Sequence, residues 1–495
     1  MKRQSIIIMT DTQRWDMLNC YCDTGLKTPC LDKLASEGMR CDYAYTCQPV
    51  CGPARSAIFT GTYPHTNGSW GNSMPLGDNV KTIGQRLSDQ GIKCAYIGKW
   101  HLDGGDYFGL GRCPEGWDSE YWYDMRCYLD ELTEEERLKS RSSSLMDREE
   151  VADSFTFGCR VAKRAVDFLK RYKDEDFLLV VSFDEPHDPS LSPKKYYDMY
   201  KDYVFPSDPS VMDTLEGKPD HQKTWAGTNL TQDRSDFKIT SHALFACNSY
   251  VDELIGRVME AIDEHVEDAF VLYTADHGGA LGSHRIRAKG PAIYDAITRI
   301  PFIIRHKGKV EAGSVNDNPI SHINITPTIM EYMGLSIPKL LEGQSILDEV
   351  YGSKDKTNDE IFIEFNRYEV DHDGFGGFQP LRATYDGRYK LCVNLMCQDE
   401  LYDMKADPHE LVNLIDDSKY HEIRNALHDK VLNWMNQTRD PFRGYWWERR
   451  TWREDARPAT WDYTGMTRQR ENEEYEPRQL DYNTGLDMVE AVRRK

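Results

Sequence analysis

A chain of 495 residues with a formal net charge of −21 lacks the basic face that general nucleic-acid or anionic-membrane binding needs, so an anionic ligand has to be met by a local basic pocket. Its 39% hydrophobic and 11% aromatic content excludes a largely disordered chain, and its longest apolar runs, residues 5–9 and 177–183, are too short to cross a bilayer. At this length one large domain with a smaller one behind it is expected.

The chain begins Met1-Lys2-Arg3-Gln4 and passes straight into a strand-like run, so no secretory leader is visible and a cytoplasmic location is expected. Residues 5–10 (SIIIMT) have the continuous apolar character of a strand buried on both faces, ending at Asp11. Residues 28–38 read as a capped helix closing on Gly38. Next comes Cys47 to Ser56, where Cys51, Pro53 and Arg55 form C-x-P-x-R at a helix start. Unpaired backbone N–H groups and the positive end of the helix dipole favour an anion there, and Arg55 adds a fixed cation one turn on.

A helix at 81–90 then feeds a strand at 93–97, which ends at Gly98-Lys99-Trp100-His101. A helix at 149–172 feeds a strand at 177–183, which ends at Pro186-His187-Asp188-Pro189. A helix at 241–265 feeds a strand at 270–274, which ends at Asp276-His277-Gly278. Residues 300–305 and 361–365 are expected to add strands to the same sheet, with a helix at 326–333 between them. Residues 113–147 are charged and turn-rich, the composition of an insertion.

Helix-to-strand alternation implies an α/β fold, a large, mostly parallel sheet sandwiched by helices. Ligands bind such sheets at the carboxyl ends of the strands. Asp11, His101, His187 and Asp276 all lie just past strand ends, so one pocket can gather them. From about 374 the pattern changes to short strands at 381–385, 388–394 and 400–404, followed by a helix at 420–437, read as a small antiparallel sheet with one helix. The expected division is a catalytic domain at 1–373, the antiparallel subdomain at 374–439, and an aromatic, charged tail at 440–495 packing on the main domain. Thirteen cysteines without regular spacing are expected to be packed thiols rather than a disulfide framework.

From Ile6 to about Asn413 these motifs resemble those of the type I sulfatases of the alkaline phosphatase superfamily. The C-x-P-x-R cysteine of that family is oxidised by a maturation enzyme to formylglycine, whose hydrate is the nucleophile, and Cys51 occupies that position. The resemblance implies that Asp11, Asp276 and His277 hold a divalent metal together with modified Cys51. It makes Lys99 and Lys289 the sulfate-binding lysines, His101 the active-site histidine and His187 the histidine near the leaving group.

The sequence departs from the family at Thr12, where many members have a second Asp. With His277, this leaves fewer anionic oxygens than a typical calcium cage. Ca²⁺ is the expected ion, with Mn²⁺ and Mg²⁺ as alternatives. Trp70, Asn72, Asp103 and His284 are candidate substrate contacts. The expected activity is hydrolysis of a small anionic sulfate ester, a sulfated sugar ahead of aryl or steroid sulfates. A phosphonate monoester or phosphodiester hydrolase is the enzymatic alternative, and a module that binds sulfated glycans without cleaving them is the non-enzymatic one.

Overall fold

The computed structural model describes residues 2–142, 150–368 and 377–456, with Met488 and Val492. In chain order the strands are β1 (Gln4–Asp11), β2 (Met39–Cys41), β3 (Ala44–Tyr45), β4 (Lys93–Gly98), β5 (Phe177–Pro186), β6 (Phe270–Ala275) and β7 (Arg299–Ile300). They continue with β8 (Phe302–Arg305), β9 (Ser314–Asn316), β10 (Ile320–Ser321), β11 (Ile361–Tyr368), β12 (Gly377–Tyr385), β13 (Tyr389–Asn394) and β14 (Glu400–Asp403). The main sheet runs in the order β4-β5-β1-β6-β8-β2-β9. Within it β4, β5, β1 and β6 are parallel neighbours, and β8 is antiparallel to β6 and β2 on either side of it.

Every residue of β1 is buried because helices cover both faces of the sheet. Ile6 and Ile8 pack in the layer that holds the helices Phe157–Tyr172 and His242–His265, through residues such as Phe168 and Leu254. Ile7 and Met9, pointing the other way, pack with Ile58 and Phe59 of the helix Cys51–Thr60 and with Ile325 and Ile329. This period-two division is why the sequence shows an unbroken apolar run rather than an alternation. No helix among the described residues is long and apolar enough to cross a membrane.

Three expectations change. Residues 361–365 do not join the main sheet, because β11 pairs antiparallel with β12, Ile361 opposite Tyr385, as one edge of a four-stranded sheet ordered β11-β12-β13-β14. A short apolar run carries no record of its partner, and only register across the later hairpin assigns it. Residues 113–142 are tied into the core instead of lying on it, and 143–147 lie outside the described residues. Trp117, Trp122, Tyr123 and Tyr128 are buried, and Tyr123 bridges Ile97 in the direction of β4. The helix expected at 149–172 begins only at Phe157, where the Thr156 hydroxyl accepts from the Cys159 N–H at 3.2 Å.

The four-stranded sheet packs on the helix His421–Gln437. The first part of the tail joins them, with Trp447 and Trp452 in the same apolar cluster and Asp440 paired to buried Arg382. Most of the tail beyond 456 lies outside the described residues.

Candidate active site

Four neighbouring parallel strands present their carboxyl ends at one edge. Asp11 closes β1, Lys99 and His101 follow β4, Asp184 lies in β5 with His187 just beyond, and Asp276 and His277 follow β6. Gly98 is what lets β4 come close enough. Its φ is 124°, and a Cβ there would lie 1.8 Å from the Ser182 carbonyl oxygen of β5, the same oxygen that accepts the Lys99 N–H at 2.9 Å. Thr12 and His101 hold left-handed φ values of 58° and 60°, the backbone strain that collects at functional sites.

Cys51 is the first residue of its helix and is buried. Its Sγ lies 3.2 Å from His277 Nε2 and 3.6 Å from Asp11 Oδ1, and the Lys289 ammonium donates to it at 2.9 Å. Arg55, one turn on and fully buried, donates to Asp11 Oδ2 at 2.9 Å, Asp276 Oδ2 at 3.2 Å, the Lys99 carbonyl at 2.6 Å and Ser182 Oγ at 2.8 Å. Lys99 Nζ sits 2.8 Å from Asp11 and 3.1 Å from Asp184. His187 is the more exposed member at the rim, with Nε2 3.9 Å from Asp11 and Nδ1–H donating to the Asp188 carbonyl at 2.9 Å.

The electrostatics favour a negative charge at the position of Sγ. Burial and Asp11 both oppose a thiolate, yet Lys289, Lys99 and His277 outweigh them and hold the Cys51 pKa well below that of an ordinary thiol. Cys47, equally buried four residues earlier, is pushed up to about 12 by burial. The difference is the ring of cations. Burial keeps His101 below its ordinary pKa, so a neutral imidazole stands beside Cys51. Burial works against the charged forms of Lys99 and Lys289, but Asp11 and Cys51 reverse it and raise both.

Asp11, Cys51, Asp276 and His277 each offer one ligand atom, and these atoms lie within 4.8 Å of one another. The set fits a divalent cation. His277 Nδ1–H donates to the Gly278 carbonyl at 2.7 Å, which turns the Nε2 lone pair toward the carboxylates. Arg55 occupies the two Oδ2 atoms and leaves the Oδ1 atoms on the side of Thr12, whose hydroxyl donates to Asp11 Oδ1 at 2.8 Å and whose N–H donates to Asp276 Oδ1 at 3.1 Å. Burial and the Asp11 charge raise Asp276 to about 7.

Asp11, Cys51, Arg55, Lys99, His187, Asp276, His277 and Lys289 therefore come together, with His101 beside them. Asn72 serves the helix, since its Oδ1 accepts the Gly52 N–H at 2.9 Å and caps the nucleophile end. Trp70 lies in the same loop, its carbonyl held by the Gln48 side chain and its ring against Phe442. Asp103 accepts from Gly105 N and Leu110 N of its own loop, and His284 is engaged by Asp213 at 2.7 Å. These partners fix the Asp103 carboxylate and the His284 imidazole in place, and sequence proximity to the motifs does not reveal that.

Sequence reasoning missed two residues at the rim. The Tyr107 ring covers the Lys99 ammonium at 4.3 Å and lies 5.1 Å from the His187 ring, and its hydroxyl donates to Asp184. Asp184 was findable, as one of two adjacent acidic residues at the end of the strand that delivers His187. Tyr107 stands in a glycine-rich loop that carries no periodic signal.

A mostly parallel sheet whose strand ends place a cation-ringed cysteine beside a divalent-metal donor set makes a centre for hydrolysing anionic esters. The chain belongs to the sulfatase family: the family model "Sulfatase" matches residues 3–335, and the model of the N-sulphoglucosamine sulphohydrolase C-terminal region matches 282–437. It is 44% identical to the uncharacterized sulfatase YidJ of Escherichia coli K12, over 98% of this chain and 97% of that one. It is 24% identical to an N-acetylglucosamine-6-O-sulfatase of Bacteroides thetaiotaomicron, over 89% and 87% of the two chains. In fold it is similar to the phosphonate monoester hydrolase of Agrobacterium radiobacter, with a TM-score of 0.74 at 20% identity over 88% and 96%.

Proposed function

We propose that the protein hydrolyses the sulfate monoester of a small sugar, using a formylglycine hydrate derived from Cys51 by a maturation enzyme and a divalent metal, Ca²⁺, at Asp11, Asp276, His277 and the modified residue. The observation that carries this is the pair of lysines converging with a metal donor set on one buried helix-start cysteine. A sulfate monoester is anionic and repels an anionic nucleophile, so its nonbridging oxygens need fixed positive charge.

When bound, the metal lowers the pKa of a hydroxyl on the hydrate and so supplies the nucleophile at neutral pH. The protein's own groups do the rest. Lys99 and Lys289 hold the sulfuryl oxygens, and Arg55 fixes Asp11, Asp276 and the start of the helix. His187, with its Nε2 facing the site, protonates the leaving alcohol. His101, kept neutral by burial, takes the proton of the second hydroxyl as sulfate departs. The exposed rim at His187 directs the leaving group outward. A sugar is favoured by the relative that acts as an N-acetylglucosamine-6-O-sulfatase.

The lone Asp11 and the Asp276-His277 pair favour one second reading, a phosphonate monoester hydrolase. Steady-state rates of the modified, calcium-loaded enzyme on p-nitrophenyl sulfate and p-nitrophenyl phenylphosphonate separate the two. A higher kcat/KM on the sulfate is expected, and a clear preference for the phosphonate overturns the first reading.

Metal binding carries its own pH signature. In the metal-free protein the Asp276 pKa is raised from 3.8 to about 7, so the stability this group lends is present below pH 3.8 and lost as pH rises to about 7. Ca²⁺ must displace that proton. The gain in Tm from excess Ca²⁺ over chelator is therefore expected to be larger at pH 7.5 than at pH 5, and an equal gain at both contradicts this site.

A further inference from the structure

Lys289 reaches Cys51 from a loop with four non-glycine residues in left-handed backbone. Leu281, His284, Arg285 and Ala288 have φ values of 48°, 53°, 59° and 59°. Left-handed backbone at residues with a Cβ costs free energy and persists only where the surroundings over-determine it. Besides hydrogen bonds within the loop, such as the Ala280 N–H to the Ala288 carbonyl at 2.8 Å and the Gly282 N–H to the Ile286 carbonyl at 3.1 Å, restraints come from outside it and fall on both of its flanks.

Before Lys289, Arg234 donates to the Gly282 carbonyl at 2.7 Å and Asp213 pairs with His284 at 2.7 Å. Asp213 is itself held by the ammonium of Lys218, which is fully buried and also donates to the main-chain carbonyl of Glu410. After Lys289, the Asp295 N–H donates to Glu410 Oε2 at 2.7 Å. The buried Lys390 ammonium donates to Glu410 Oε1 at 2.8 Å and to the Ile293 carbonyl at 3.0 Å. Glu410 follows β14 of the four-stranded sheet, is buried, and itself has a φ of 54°. One residue thus closes two chains of hydrogen bonds, one ending on each side of Lys289.

We propose that Glu410 is a positioning residue for the reaction: from the C-terminal sheet it fastens both flanks of the Lys289 loop and so sets the Lys289 ammonium against the nucleophile. This rests on the reading of Lys289 as a sulfuryl-binding cation. It gives the four-stranded sheet a part in catalysis although Glu410 touches no reacting atom. Both carboxylate oxygens face donors, so E410Q, equal in size, must turn its NH₂ against either the Asp295 N–H or the Lys390 ammonium.

The test is a double-mutant cycle of E410Q and K289A, read as kcat/KM on whichever of p-nitrophenyl sulfate and p-nitrophenyl phenylphosphonate the wild type cleaves faster. Amide hydrogen exchange across residues 280–295 is measured in parallel. E410Q is expected to lower kcat/KM by about 10²-fold in the wild-type background, the cost of a misplaced group. In the K289A background the same change is expected to cost less than about threefold, because the two residues act as one unit. Exchange at 289–295, the flank the carboxylate holds, should quicken while that of β1 and β5 stays as in the wild type, and the Lys218 bond to the main-chain carbonyl of residue 410 is untouched by the substitution.

An equal loss in both backgrounds, or unchanged exchange in the loop, overturns the proposal. A wild type that prefers the phosphonate counts against the sulfate reading alone, because the cycle still reports on Glu410. Should neither ester be cleaved, the exchange measurement decides.

Discussion

Cys51→Ala is expected to abolish ester hydrolysis, lowering kcat/KM by at least about 10⁵-fold, the scale seen when an enzyme loses its nucleophile. The thermal transition should survive, because Cys51 contributes no large apolar side chain to the core and the helix keeps its cap at Asn72. Cys51→Ser separates the steps further. A serine hydroxyl can attack, but it has no second hydroxyl from which to expel sulfate. It should release no more than one equivalent of p-nitrophenol per site and then stop, with the protein heavier by one sulfuryl group. Sustained turnover by Cys51→Ser would show that release does not depend on the aldehyde hydrate.

Arg55→Met is expected to have the largest effect on stability. The guanidinium is fully buried and meets two carboxylates, a carbonyl and a hydroxyl. Removing it takes the guanidinium from Asp276 and leaves Asp11 to Lys99, and breaking a buried ion pair from one side costs about 3–5 kcal/mol. Denaturant unfolding of the metal-free protein should show that loss. Excess Ca²⁺ should restore part of it by supplying positive charge to the same oxygens. Arg55→Lys should rescue little, since an ammonium cannot reproduce the four-way fork. A loss below about 1 kcal/mol, the range of an exposed pair, would mean the carboxylates do not rely on Arg55.

The parts of the site legible in the sequence are those tied to local signals. Asp11, Lys99, His187 and Asp276 each follow an apolar run that ends abruptly, and a parallel sheet brings such ends to one edge. Cys51 and Arg55 are one turn apart on a helix whose start is marked by Pro53. What stayed hidden depends on partners distant in sequence. Nothing around residue 361 shows that β11 pairs with β12 rather than β8. The buried aromatic anchors Trp117, Trp122 and Tyr123 are masked by charged neighbours. Asn72 and His284 read as candidate substrate contacts, and their partners Gly52 and, 71 residues upstream of His284, Asp213 show only once the chain is folded. Tyr107 joins the site only because Lys99 and Asp184 are brought beneath it.

The most direct test of the account is the intact mass of the protein, with a peptide map across Cys51, after co-expression with a formylglycine-generating enzyme and alongside its sulfatase activity. The account predicts that the active form carries oxygen in place of the Cys51 sulfur and is lighter by two further hydrogens, with activity rising in proportion to that form. Full sulfate-ester turnover by protein whose Cys51 is still a thiol would contradict it.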